Sequence, residues 1–302
     1  MNEENNILTK SDYFYWLDTE FTPEEVELIN QNIYLNMAHT DYYMHYKMGD
    51  YNYCKNFLLA NTHLFKTKDT LDPLTKKFIT AIQEQNLNEV KSLLIQGVNP
   101  NIYNKQSGRT YLISAVENND FDLVKVLIEY KADIELADTV QNRTPLMFAV
   151  YNGNLDIVHF LFNNRANLNE VTNNGDTSLI IATLYNKIDI AKFLILKGVD
   201  INQQANDGWT ALMFASEKGF KDIAHLFIEN KANLDLKQKF GLTALSIASH
   251  NGKFEVVKLL LENGANLSLK STENKTALAY AKQNNHTEII KLLEKAEKTL
   301  SK

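Results

Sequence analysis

Residues 208–236 read GWTALMFASEKGFKDIAHLFIENKANLDL, and the pattern of this stretch recurs along most of the chain. Thr210 precedes a short apolar run on helical spacing, and a second amphipathic stretch follows Gly219. Threonine is a favoured residue at the start of a helix, and glycine is favoured just after its end. The stretch therefore predicts two antiparallel helices joined by a tight link.

The same pattern repeats with a fixed period. Six threonines recur at intervals of 34, 33, 33, 33 and 33 residues: Thr110, Thr144, Thr177, Thr210, Thr243 and Thr276. Each is followed five places later by an alanine: Ala115, Ala149, Ala182, Ala215, Ala248 and Ala281. Because one helix pair of this size cannot cover its own apolar faces, the period predicts a solenoid in which neighbouring pairs stack.

Turn and link positions follow the same period. The residues two places before each threonine are Gly108, Asn142, Gly175, Gly208, Gly241 and Asn274. The residues nine places after each threonine are Asn119, Gly153, Asn186, Gly219, Gly252 and Asn285. Only glycine and asparagine occur at either position, and these residue types best tolerate a left-handed backbone. Two left-handed positions are therefore expected in every unit.

One unit also carries a family motif. Thr144-Pro145-Leu146, with Ala149, matches the T-P-L-H-x-A signature of the ankyrin repeat. On this motif and the recurring turns, residues 76–296 resemble an ankyrin repeat array. The resemblance implies an all-α, ankyrin-type solenoid of stacked helix pairs with short hairpin turns, and an N-terminal helical extension precedes it.

The sequence departs from the family pattern at two kinds of position. The histidine that follows Thr-Pro-Leu in the family is missing from all six units, so its hydrogen bonds between repeats are expected to be absent. Lys131, Arg165 and Lys231 stand where a glycine ends the second helix in other units. A side chain at such a position predicts local backbone strain.

The chain divides into two predicted regions. Residues 1–72 form an acidic, aromatic-rich helical extension, and residues 73–302 form the repeat array. Within the array, residues 73–104 are an atypical first repeat that lacks the threonine. Six repeats follow over residues 105–302, and the last is truncated or capping.

The extension differs from the array in charge. Residues 1–75 hold 12 acidic and 5 basic side chains, whereas the remainder holds 25 acidic and 26 basic. Two interpretations of the extension remain open. Its many rings pack its own core and seal the end of the stack, or its acidic aromatic surface binds a basic partner.

Composition limits the function classes. The single Cys54 excludes an internal disulfide and fits a reducing compartment, so cytoplasm is expected, or a host cytoplasm if the protein is delivered there. The start has no signal-peptide pattern and no stretch of about 18 apolar residues occurs, which predicts no membrane association. A net charge of −6 without a clustered basic face argues against nucleic acid as partner. A monomer is expected.

Catalytic, cofactor and metal sites are not predicted. No GxxxxGK[ST], GxGxxG or GxSxG motif occurs, and the seven histidines stand at unmatched positions. The single cysteine excludes a cysteine-rich zinc site. The sequence therefore predicts a protein that is not an enzyme and has no cofactor or bound metal.

Binding is expected where the resemblance implies a concave side, lined by the turns and first helices. The residues predicted to contact a partner are Arg109, Arg143, Tyr151, Leu184, Tyr185, Trp209, Phe240, Leu242 and His250. Tryptophan, tyrosine and arginine dominate the binding energy of many interfaces. Trp209 is the strongest candidate, and it could form one patch with Tyr151 and Tyr185. Alternatively, each ring packs on a neighbouring repeat and only stabilises the array.

The leading functional hypothesis is a non-enzymatic scaffold that binds another protein through the concave face. One alternative is an inhibitor or immunity-type protein, or a host-directed effector, that uses the acidic extension against a basic partner. Another is an enzyme or toxin-like effector with its activity in residues 1–72. That region lacks a paired nucleophile and base, which makes it a poor catalyst.

Overall fold

The computed structural model describes residues 72–104 and 107–300, so the predicted extension lies outside the described residues except for Asp72. The chain divides into two compact units, residues 1–98 and 99–302. The described part of the first unit is the helix pair α1 (Pro73–Gln83) and α2 (Leu87–Ile95). Asp72 caps α1 by accepting hydrogen bonds from two backbone N–H groups.

The second unit contains six helix pairs in its described residues, as the threonine period predicts. The first helices of the pairs are α3 (Tyr111–Glu117), α5 (Pro145–Asn152), α7 (Ser178–Leu184), α9 (Ala211–Lys218), α11 (Ala244–His250) and α13 (Ala277–Gln283). The second helices are α4 (Phe121–Glu129), α6 (Leu155–Asn163), α8 (Ile188–Leu196), α10 (Lys221–Glu229), α12 (Phe254–Glu262) and α14 (Thr287–Leu300). The strands β1 (Tyr103–Asn104) and β2 (Arg109–Thr110) form the first hairpin. The predicted all-α solenoid of helix pairs is therefore confirmed.

The repeating threonines begin the first helices. In each repeat the threonine hydroxyl accepts a hydrogen bond from the backbone N–H three residues later, over 3.2–3.4 Å. The bond satisfies a donor that the helix itself leaves free. The six threonines thus act as helix caps, and their recurrence fixes where each first helix starts.

The repeating alanines lie in the core between stacked units. All six are at most 2% exposed. Each first helix packs against the first helix of the next repeat, from α3 to α13, and the second helices stack in the same order from α6 to α14. A side chain larger than alanine at this position would push neighbouring first helices apart.

Backbone hydrogen bonds also join the hairpin turns of successive repeats. A turn N–H donates to a carbonyl of the preceding turn at every junction: Thr139 to Gly108, Asn173 to Gln141, Asn206 to Asn174, Lys239 to Asp207, and Thr272 to Phe240. The distances are 2.8–3.0 Å. The turns therefore form a continuous ladder along the edge of the stack.

Left-handed residues occur where the sequence predicts them. All twelve turn and link positions that hold glycine or asparagine have positive φ. Lys131, Arg165 and Lys231 also have positive φ, at 68°, 72° and 65°. This conformation costs a non-glycine residue roughly 1–2 kcal/mol, so the expected strain is present at these three helix ends.

Candidate functional site

The turns and first helices place recurring side chains on one face of the array. The first-helix face is defined here by the turn tips and by four positions of each repeat. These are the residue just before the helix-opening threonine and the residues four, seven and eight places after it. By this definition the nine residues predicted to bind a partner belong to the first-helix face, since Phe240 is at a turn tip and the others occupy those positions.

Their exposure is mixed. Tyr151 is 44% exposed, Tyr185 is 49% exposed and Phe240 is 61% exposed, and His250 is exposed as well. The other five predicted residues were expected to be exposed, but they are half-buried: Arg109, Arg143, Leu184, Trp209 and Leu242. Arg109, Arg143 and Trp209 lose exposure because each lies against a ring of the array. Contacts within the chain therefore already hold some side chains of this face in place.

The structure brings two of the predicted aromatic residues together. The rings of Tyr151 and Tyr185 meet edge to face, with 4.4 Å between their centroids. Tyr151 lies near the end of α5 and Tyr185 caps the end of α7. Trp209 precedes the start of α9, at the opposite end of the first helices, where its ring lies 4.7 Å from that of Phe214. The expected single patch is thus two aromatic clusters.

Two arginines, one from each of the first two threonine-led repeats, contact the same phenylalanine ring. The guanidinium carbons of Arg109 and Arg143 lie 4.9 Å and 4.5 Å from the centroid of the Phe148 ring. Arg109 forms an ion pair with Glu117, and Arg143 donates from Nε and Nη2 to Asp138 at 3.0 Å and 2.9 Å. Phe148 is only 2% exposed as a result. Both arginines therefore stabilise the array.

His250 also contacts its neighbouring repeat. Its Nδ1 lies 3.0 Å from Nδ2 of Asn284, and its carbonyl oxygen accepts from the same amide at 2.7 Å. Nε2 of His286 lies 3.0 Å from that carbonyl, and the His250 ring meets Tyr280 edge to face. These contacts join the last two repeats, so the interpretation of a residue that stabilises the stack fits His250 best.

The family-model comparison agrees with this architecture. The family model described as ankyrin repeats (3 copies) matches residues 78–172, 152–238 and 217–302. The chain belongs to the ankyrin repeat family. A search of curated proteins finds no significant match. Ankyrin repeats are generally protein–protein interaction modules, and the first-helix face is the part of this ankyrin array that carries the predicted contact residues.

An acidic position on the ankyrin array escaped the sequence prediction. Asp176 is half-buried just before the helix-opening Thr177, at the same repeat position as Arg109, Arg143 and Trp209. Burial raises the pKa of its carboxyl group, the hydrogen bond from Thr172 opposes this, and the charge of Asp207 raises the pKa further. Repeat register could have revealed the residue, but its burial could not be read from the sequence.

A cavity of about 400 Å³ opens between the second and third threonine-led repeats of the ankyrin array. Its lining includes Leu168, Val171, Val199 and Gln203, and its one carboxylate is Asp200. This lining lacks the paired acid and base that general acid–base catalysis uses. Over residues 72–104 and 107–300, no group of three or more histidine, cysteine, aspartate or glutamate side chains could hold a metal ion.

The helices were also compared with the length and hydropathy of a membrane span. Within the described parts of the chain, none combines the length and apolar character required to cross a bilayer.

Proposed function

We propose that this ankyrin array is a non-enzymatic scaffold that binds a partner protein through its first-helix face. The observation that carries the proposal is the exposed tyrosine pair. Tyr151 and Tyr185 remain 44% and 49% exposed although their rings already contact each other. Residues whose only task was to fill space between repeats would be more completely buried, as Phe148 is.

The pair has the physical character of an interface anchor. Tyrosine supplies a large, rigid apolar surface and loses little conformational entropy on binding. Contact between the two rings restricts both side chains before a partner arrives, which lowers the entropic cost of association. Half-buried Leu184, next to Tyr185 in the chain, extends the apolar surface.

A second cluster extends the proposed face along the array. Trp209 lies on Phe214, Leu242 is half-buried at the corresponding position of the next repeat, and Phe240 is 61% exposed at the turn tip. Apolar groups exposed in several consecutive repeats suit an extended contact better than a pocket for a small molecule. The proposed partner is therefore a protein, with no cofactor and no nucleic acid.

The remaining parts of the proposal concern the setting. We place the scaffold in the cytoplasm, or in a host cytoplasm after delivery, and treat it as a monomer. The presence of a single cysteine in the sequence supports a reducing compartment. The inhibitor and effector alternatives depend on the extension, which lies outside the described residues.

Site-specific photo-crosslinking in cells that express the full chain tests the face. A photoreactive phenylalanine analogue replaces Tyr185 in one variant and Leu196 in the matched control. Leu196 is 80% exposed on α8, so it is an apolar, exposed residue of the same repeat on a second helix. The proposal expects a discrete protein adduct from position 185 that position 196 does not give.

The adduct must also depend on the rings. In a Tyr151→Ala/Trp209→Ala chain that carries the analogue at position 185, the yield should fall at least about tenfold, as for the loss of interface anchors. An adduct of equal yield from position 196, or one indifferent to both alanines, would place binding elsewhere. Circular dichroism confirms that each variant folds.

A further inference from the structure

The array covers one of its phenylalanines with its own cations. Phe148, four places after Thr144, has two guanidinium groups against its ring, that of Arg143 from its own repeat and that of Arg109 from the preceding one. Each guanidinium is held by a carboxylate, Glu117 for Arg109 and Asp138 for Arg143. The ring face is electron-rich, so a cation held over it is stabilised.

Two repeats further along, the corresponding set is incomplete. Phe214 occupies the position of Phe148, and Trp209 covers it from its own repeat as Arg143 covers Phe148. The position of Arg109 is taken by Asp176. A carboxylate is repelled by the electron-rich face of a ring and cannot replace the guanidinium there. Phe214 accordingly remains half-buried, whereas Phe148 is 2% exposed.

Asp176 carries a charge that the described chain does not neutralise. Over residues 72–104 and 107–300, no arginine or lysine forms an ion pair with its carboxylate. Its side-chain hydrogen bond comes from the Thr172 hydroxyl over a long 3.4 Å, and burial raises the pKa of the carboxyl group. The neighbouring Arg143 is held on Asp138 instead.

A second carboxylate adds to the negative potential. Asp207 lies at the turn tip before Trp209 and accepts a hydrogen bond from its backbone N–H at 3.1 Å. Its charge acts on Asp176 in the direction that disfavours ionisation. Two carboxylates therefore stand in the turns that precede Thr177 and Thr210, while the charged pair Glu217 and Lys218 at the other end of α9 is neutralised by its own ion pair. A cation would be attracted to the turn end of the face.

We infer that the partner of the first-helix face is a protein segment with an arginine flanked by apolar residues, and that this arginine pairs with Asp176 beside Trp209 and Phe214. The inference rests on the proposed function. The arginine would occupy the place that Arg109 takes in the first repeats. Arginine suits the place better than lysine because its planar group can pair with a carboxylate and stack on a ring at once. The flanking apolar residues would contact Tyr185 and Leu242.

Selection of peptides on the full chain tests this assignment. A display library of random 12-residue peptides is panned against the immobilised protein, and one enriched peptide is synthesised with a fluorescent label. The inference expects enriched peptides to share an arginine between apolar residues. Replacing that arginine with glutamine should weaken binding to the wild-type chain at least about tenfold, as for loss of one member of a desolvated pair.

Matched variants of the protein locate the contact. Asp176→Asn should weaken binding of the arginine peptide about tenfold and remove most of its salt dependence. Asp189→Asn should leave both unchanged, because Asp189 is an exposed carboxylate of the same repeat on α8. Asp176→Arg should restore binding of a peptide whose arginine is replaced by glutamate.

The outcomes separate the inference from the proposed function. Enriched peptides without a basic residue, arginine peptides indifferent to Asp176→Asn, or no enriched peptide at all would overturn the arginine assignment. If alanine variants of Tyr185 and Trp209 still weaken peptide binding in that case, the first-helix face remains the proposed binding surface and only the arginine assignment is wrong. If neither Asp176→Asn nor those alanine variants weaken binding, both the proposed binding face and the arginine assignment are wrong.

Discussion

Replacing Asp138 with alanine should strongly destabilise the array, because Asp138 is a buried carboxylate six residues before the helix-opening Thr144. The Asp138 side chain is 0% exposed, and it accepts four hydrogen bonds. Two come from the backbone N–H groups of Gln141 and Arg143 at 2.9 Å and 3.0 Å. The other two come from the Arg143 guanidinium at 3.0 Å and 2.9 Å. One carboxylate therefore closes the turn and anchors the cation over Phe148.

The expected loss follows from what the alanine leaves unpaired. Breaking a buried ion pair by removing one partner costs about 3–5 kcal/mol. Arg143 keeps 26% exposure of its side chain, so water can solvate part of its charge, and we expect the lower end, about 3 kcal/mol. Asp138→Asn retains an oxygen for the two backbone donors and loses the charge, so its cost should be about half as large.

Urea unfolding followed by far-ultraviolet circular dichroism measures these losses, and hydrogen exchange of residues 138–143 tests whether they begin locally. Glu117→Ala is the matched control, since it breaks the ion pair of Arg109 on the same ring. Those side chains are 27% and 37% exposed, so the control should cost less than about 1 kcal/mol. The reasoning fails if Asp138→Ala costs no more than the control.

Three further predictions concern stability. Alanine at both Tyr151 and Tyr185 should show a coupling of about 1 kcal/mol in a double-mutant cycle of urea unfolding, whereas additive losses would contradict the ring contact. Asp176→Asn should stabilise the fold at pH 7, because burial raises the pKa of this carboxyl group in the folded state and its ionised form therefore opposes folding. In thermal unfolding the gain in stability should vanish as the pH falls through that raised pKa toward 3, and a gain that persists at pH 3 would refute this cause. Lys131→Gly should raise the free energy of urea unfolding by up to about 1 kcal/mol, because glycine adopts the φ of 68° without strain. Gly198→Lys should lower it by about as much through the φ of 83° alone, because no atom lies within 4 Å of the added Cβ, and unchanged stability in both variants would exclude strain as the cause.

Local signals made most of the fold predictable. A threonine cap acts on the N–H three residues later and a left-handed glycine or asparagine ends a turn within one or two residues, so both leave a mark in the sequence at the place where they act. Residues 73–104 were predicted to keep a helix pair although they lack the opening threonine, and α1 and α2 are present. The extension over residues 1–72 stays a prediction.

The candidate site was less predictable because it depends on contacts between repeats. Trp209 and Tyr185 are equally aromatic in the sequence, but they stand at opposite ends of the first helices and join different clusters. His250 was selected by position, and its bonds to Asn284 show a stabilising role. Nothing in the sequence singled out Asp176 as a binding residue, because an aspartate before a threonine is ordinary in a turn.

The sequence alone is enough to predict the period of the array, the start of each first helix and the left-handed positions, because these follow from interactions within a few residues of the chain. Which side chains of the first-helix face already have partners depends instead on how the repeats stack. The Arg109 guanidinium contacts the Phe148 ring one repeat away, whereas Asp176 at the same repeat position forms no ion pair with a lysine or arginine among the described residues. Arg109 and Phe148 are 39 places apart in the chain, and such a pairing depends on which side chains the stacking of helix pairs brings within reach.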